Sequence, residues 1–105
     1  MTLTFKSAQQ QVDERVNQHP DGYRPDDKIF RKMEEEKIEI ENALQEYQKS
    51  PTEENMKAFK TEIGDELFAI ICLANSKGIS LDECINLMME KNRNRAKNKY
   101  QKEEK

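Results

Sequence analysis

Eight consecutive apolar residues, Leu67 to Ala74, follow directly on the acid-rich stretch Glu62-Ile63-Gly64-Asp65-Glu66. An apolar run of this length, set in a helical pattern, gives a helix that is apolar all round and needs cover on nearly every side. Glu62 and Asp65 are three residues apart, so on a helix their carboxylates leave one face about one turn from each other. Charge at the mouth of a buried helix is costly unless it is paired or binds a cation. A second acidic stretch, Glu35-Glu36-Lys37-Ile38-Glu39, lies upstream. What the chain does depends on whether the two stretches meet.

The chain around this helix reads as four helices and no strand. Phe5, Ala8, Val12 and Val16 recur at helical spacing, which predicts a first helix over 4–17. Two prolines and a glycine make 18–25 a loop. Asp26 or Asp27 is then positioned to cap a second helix over 27–48, with Ile29, Met33, Ile40, Ala43, Leu44 and Tyr47 on one face. Ser50-Pro51-Thr52-Glu53 reads as a capping box, with Ser50 as the cap and Pro51 in the first turn, starting a third helix over 51–77 that ends at Gly78. A second box, Ser80-Leu81-Asp82-Glu83, starts a fourth helix over 81–100, and the last five residues, 101–105, are expected to fray. Short joins between successive helices predict an antiparallel four-helix bundle.

At 105 residues the chain is one small domain, 1–105, with a core over about 8–100. Charged residues make up 37% and apolar residues 34%, so apolar helix faces are few but wide, and some are expected to be covered by another subunit. A net charge of −3 argues against a nucleic-acid partner, and the longest apolar run is far too short to span a membrane. Cys72 and Cys84 lie in apolar helix patterns as small hydrophobes, there is no CxxC, and the N-terminus carries no signal-peptide core. A reducing cytoplasm is therefore the expected compartment.

On the second helix Glu36 falls close to the apolar seam, with Glu39 about 60° to one side and Glu35 about 40° beyond it. On the third, Glu62 and Asp65 flank a face drawn by Phe59, Ile63, Leu67 and Ile70. Glutamate runs on helices are ordinarily solvated faces. Antiparallel packing of these two helices, however, brings four or five carboxylates into one groove, where like charges repel and a hard divalent cation is the natural counter-ion. His19, Tyr23 and Phe5 carry no comparable signal. An aromatic at core spacing is ordinarily core.

The pattern Glu35-Glu36-Lys37-Ile38-Glu39 … Glu62-Ile63-Gly64-Asp65 resembles the EExxE…ExxD signature of the MazG-like nucleotide pyrophosphohydrolases of the all-α NTP pyrophosphatase superfamily. Ala43-Leu44, the residues Leu67-Phe68 and Cys72-Leu73-Ala74-Asn75, and the stretches around Val12-Asp13 and Gly22-Tyr23 extend the resemblance over about 8–100. It implies Mg²⁺-dependent hydrolysis (Mn²⁺ a possible substitute) of nucleoside triphosphates to monophosphate and pyrophosphate, in nucleotide-pool house-cleaning, by a homodimer or homotetramer. It implies Glu36, Glu39, Glu62 and Asp65 as metal ligands, with Glu35 aligning the attacking water or holding a further metal. Lys91 and Arg95 match the basic positions near the phosphates, although Arg93 stands where an asparagine is expected. Two other readings use the same fold: a non-catalytic acidic interaction protein, and a pyrophosphohydrolase acting on phosphoribosyl-ATP.

Overall fold

The computed structural model describes residues 2–103, and they form four α-helices: α1 (Phe5–Asn17), α2 (Asp26–Lys49), α3 (Glu53–Ser76) and α4 (Leu81–Glu103). α2 and α3 form the principal pair; α1 packs on α3 and on α4. The expected helices are all present, with shifted ends. α4 runs through Glu103, past the end expected near 100, and residues 104 and 105 of the expected frayed tail lie outside the described residues.

Local chemistry sets the ends. Thr4 caps α1, accepting from Ser7 N at 3.1 Å, while Thr4 N–H reaches Ser7 Oγ at 2.8 Å, a reciprocal capping box. α2 begins differently from expectation: Pro25 holds the cap position without a side-chain bond, and Asp26 and Asp27 occupy the first turn. There they complement the helix dipole, and Asp26 Oδ2 pairs with Lys77 Nζ at 2.8 Å. Lys77 closes α3, so this pair joins the start of α2 to the end of its antiparallel neighbour.

The cap of α3 is Thr52, not Ser50. Thr52 Oγ1 accepts from Asn55 N at 3.1 Å, while Ser50 is the extended residue that closes α2. Ser50 instead closes α2, its N–H bonding Glu46 O at 3.0 Å, and its carbonyl receives Thr52 N–H and Asn55 Nδ2, both at 2.8 Å. Pro51 therefore sits in the link. At the other end of α3, Gly78 adopts φ +67°, a left-handed conformation disfavoured for other residues. Its N–H bonds Asn75 O at 3.1 Å and Ile79 N–H bonds Ala74 O at 2.9 Å, the two bonds of a Schellman ending. Ser80 Oγ then receives Glu83 N–H at 3.4 Å at the start of α4.

The core is small: Ile71, Ala74 and Leu81 are buried together, with Ala8, Val12 and Ile70 packed against them, joining α1, α3 and α4. The α2 seam follows expectation except at Leu44: Ile29 is buried and Met33, Ile40, Ala43 and Tyr47 are half-buried, whereas Leu44, next to Ala43 and turned off the seam, is exposed. The α3 face is rotated from expectation. Its covered stripe runs through Phe59, Glu62, Glu66, Ala69 and Leu73, whereas Ile63 and Leu67 are about 40% exposed. An all-apolar segment has no preferred side of its own, so its partner α2 decides which side turns inward. Cys72 is half-buried, its thiol pushed up by burial, but Cys84 is exposed and is not the core residue expected.

Candidate metal centre and relatives

The rotation of α3 puts carboxylates into the α2–α3 seam. Glu36 lies on the seam of α2 and is 5% exposed. Opposite it, Glu62 is half-buried and Asp65 is exposed at the edge. One carboxylate oxygen from each of Glu36, Glu62 and Asp65 lies within 4.8 Å of the other two. Antiparallel packing of two helices with an E-x-x-E and an E-x-x-D pattern thus brings three of the four expected ligands together.

The electrostatics follow from that crowding. Removal from water pushes the Glu62 carboxyl up from its ordinary value, and the charges of Asp65, Glu36 and Glu39 push it in the same direction. Glu36 Oε1 pairs with Lys32 Nζ at 2.8 Å, but its Oε2 is sealed from water and has no hydrogen-bond partner. A buried oxygen without a partner is costly. A hard cation with oxygen ligands suits it, and Glu36, Glu62 and Asp65 are the residues that would hold one.

Glu39, an expected ligand, is exposed and stands outside the converging trio, although its charge reaches Glu62. Glu35 is exposed beside Glu36. Lys91 and Arg95 are exposed on α4, which packs on α1, and among the described residues neither pairs with a carboxylate. Two residues in the seam carry no sequence signal. Lys32 reaches into the cluster, its ammonium pushed up chiefly by the hydrogen bond to Glu36 and further by the charges of Glu36, Glu35 and Asp65. Glu66, one turn past Glu62 on the covered stripe, has a buried Oε1 with no hydrogen-bond partner. A lysine four residues before a glutamate, or a further glutamate on an acidic helix, looks in sequence like any solvated pair.

Residues 25–100, which hold both acidic stretches, match the family model of the MazG nucleotide pyrophosphohydrolase domain. The chain belongs to the MazG family. The MazG frame is visible in solved structures as well. The Bacillus-conserved MazG protein, a nucleotide pyrophosphohydrolase, superposes with a TM-score of 0.75 at 30% identity, covering 86% of this chain and 90% of that one. The structure of YpjD from Bacillus subtilis superposes with a TM-score of 0.74 at 31% identity, covering 89% and 98%. In sequence, YpjD of Bacillus subtilis (strain 168), described as uncharacterized, is 34% identical over 105 residues, which is 96% of this chain and 94% of YpjD. MazG membership supports a hydrolase acting on a nucleotide phosphoanhydride. No helix among the described residues is long and apolar enough to cross a membrane.

Proposed function

We propose that this MazG protein is a Mg²⁺-dependent nucleoside triphosphate pyrophosphohydrolase, releasing nucleoside monophosphate and pyrophosphate from ribo- or deoxyribonucleotides in cytoplasmic house-cleaning. The observation that carries the reading is the convergence of one carboxylate oxygen each from Glu36, Glu62 and Asp65 within 4.8 Å, at a glutamate that is buried and has an oxygen without a hydrogen-bond partner. Glu36, Glu62 and Asp65 would hold the cation, Mg²⁺ with Mn²⁺ as a substitute, which when bound would supply screening of the triphosphate charge and polarisation of the α-phosphate.

The chain's own groups do the rest. Glu36 is fixed on the seam and contributes one carboxylate oxygen to the converging trio. Glu62 and Asp65 provide the facing carboxylates, and Glu39 adds negative charge from the rim. Glu35, exposed beside Glu36, accepts the proton of the attacking water. Lys91 and Arg95 share a face of α4 and contact the phosphates. Within one chain α4 rests on α1, so delivering that pair to the carboxylates is one reason to propose a homodimer or homotetramer.

The test is a product assay. Purified protein with Mg²⁺ is offered NTPs, dNTPs and phosphoribosyl-ATP, and products are separated at early times. Monophosphate and pyrophosphate appear together from the true substrate, without nucleoside diphosphate or orthophosphate. A time course in which diphosphate comes first would overturn the assignment.

A further inference from the structure

Lys32 lies one turn before Glu36 on α2, and its Nζ sits 2.8 Å from Glu36 Oε1. Pairs of this spacing on an open helix surface contribute little. This one is asymmetric: the Glu36 side chain is 6% exposed and the Lys32 side chain 53%. The ammonium therefore reaches in from solvent to a carboxylate that water scarcely touches. Oε2 of the same carboxylate has no partner, and Glu62 and Asp65 each offer an oxygen within 4.8 Å of one of the two Glu36 oxygens. One ammonium brings a single charge and leaves that oxygen unsatisfied, whereas a divalent cation brings two charges and takes oxygen ligands.

We propose that Lys32 is an exchangeable counter-ion of the carboxylate cluster, pairing with Glu36 while metal is absent and competing with a divalent cation for it. The inference rests on the metal-site reading of Glu36, Glu62 and Asp65. The half-exposed stem makes the exchange feasible, because the ammonium leaves Glu36 for water without crossing packed side chains.

The experiment is a calorimetric titration of wild type, Lys32→Gln and Lys32→Arg with Mn²⁺, alongside melting curves in chelator and in excess Mg²⁺. Removing a positive charge from beside the site makes Lys32→Gln bind Mn²⁺ about tenfold more tightly, while Lys32→Arg, which keeps the charge, stays near wild type. In chelator Lys32→Gln melts below wild type, having left a buried carboxylate unpaired, and excess Mg²⁺ closes that gap. Should Lys32→Gln be unfolded in chelator, its folding midpoint against Mn²⁺ concentration reads the same competition. Mn²⁺ binding by Lys32→Gln that is equal to or weaker than wild type overturns the counter-ion role and leaves the metal site standing. Wild type that binds no Mn²⁺ overturns both.

Discussion

Glu62 is the residue whose titration reports the cluster, because it faces the charges of Asp65, Glu36 and Glu39 while partly shielded from water. Its folded pKa is raised above the unfolded value, so between the two values the folded state holds a proton that the unfolded state has lost. Stability of the metal-free protein then falls as pH rises through that window and is flat below it. The difference in unfolding free energy between wild type and Glu62→Gln should decline with pH in that window, measured by denaturant titration in chelator. Parallel curves would mean that Glu62 does not face those charges. If Glu62 is a ligand as proposed, Mg²⁺ should change the sign of what it contributes. Excess Mg²⁺ should stabilise wild type by up to about 2.7 kcal/mol if it reaches a hundredfold over its dissociation constant, and Glu62→Gln should lose most of that gain. Glu36 and its seam position were legible in sequence because helical periodicity places residue 36 in line with Ile29, Met33 and Ile40. The part played by Lys32 was not, since the burial that distinguishes its pair with Glu36 comes from α3 and not from the spacing.

The joins between helices show which local signals decide an ending. Gly78 announced the end of α3 because the left-handed turn required there disfavours other residues. α3 starts later than Ser50-Pro51 predicts because Ser50-x-x-Glu53 and Thr52-x-x-Asn55 compete for one turn, and the Asn55 side chain favours the second by also bonding Ser50 O. More distant in sequence is the tie made by Gln9 of α1. Its Nε2 donates to Asn75 Oδ1 and to Ile79 O, both at 2.8 Å, and its Oε1 accepts from Leu81 N at 3.0 Å, capping α4 from another helix. Asn75 Nδ2 in turn donates to Gln9 O and to Tyr23 Oη, each at 2.9 Å. Tyr23 hydrogen-bonds Asp13, and its hydroxyl is pushed up to about 12, mainly by burial and then by that bond, so it is a neutral structural group at ordinary pH. Gln9→Ala leaves the N–H of buried Leu81 without its acceptor and should cost about 1–3 kcal/mol in chemical denaturation. A loss near zero would mean that this tie adds nothing to the α1–α4 junction. Gly64 gives the opposite test. It lies inside α3, and a Cβ built there meets nothing within 4 Å, so Gly64→Ala should stabilise the isolated chain by about 1 kcal/mol. Destabilisation instead would mean that something outside the chain packs against that face.

At the scale of the molecule, the four helices form an all-α bundle that is more extended than a closed globule of this length. The radius of gyration is 17.6 Å with extents of 59 × 40 × 32 Å, whereas a compact chain of this length has a radius near 13 Å. Ile38 on α2 is 57% exposed, and Leu67 and Phe68 on α3 are 40% and 45% exposed, although they lie in or beside the segments that carry the acids. Ile38 lies opposite the α2 seam, and among the described residues it stays exposed. Apolar surface of this kind is ordinarily an interface, and a second copy of the same chain covers it with no further requirement than two-fold symmetry. The homodimer expected from the breadth of the apolar faces therefore becomes a prediction about named residues. Light scattering should give a dimer or larger species for wild type at micromolar concentration. Phe68→Glu and Ile38→Glu should lower the mass toward that of one chain and reduce turnover if Lys91 and Arg95 reach the carboxylates only across the assembly. Full activity in a protein that scatters as a monomer would reject the assembly and, with it, any role for a second copy in bringing those basic residues to the site.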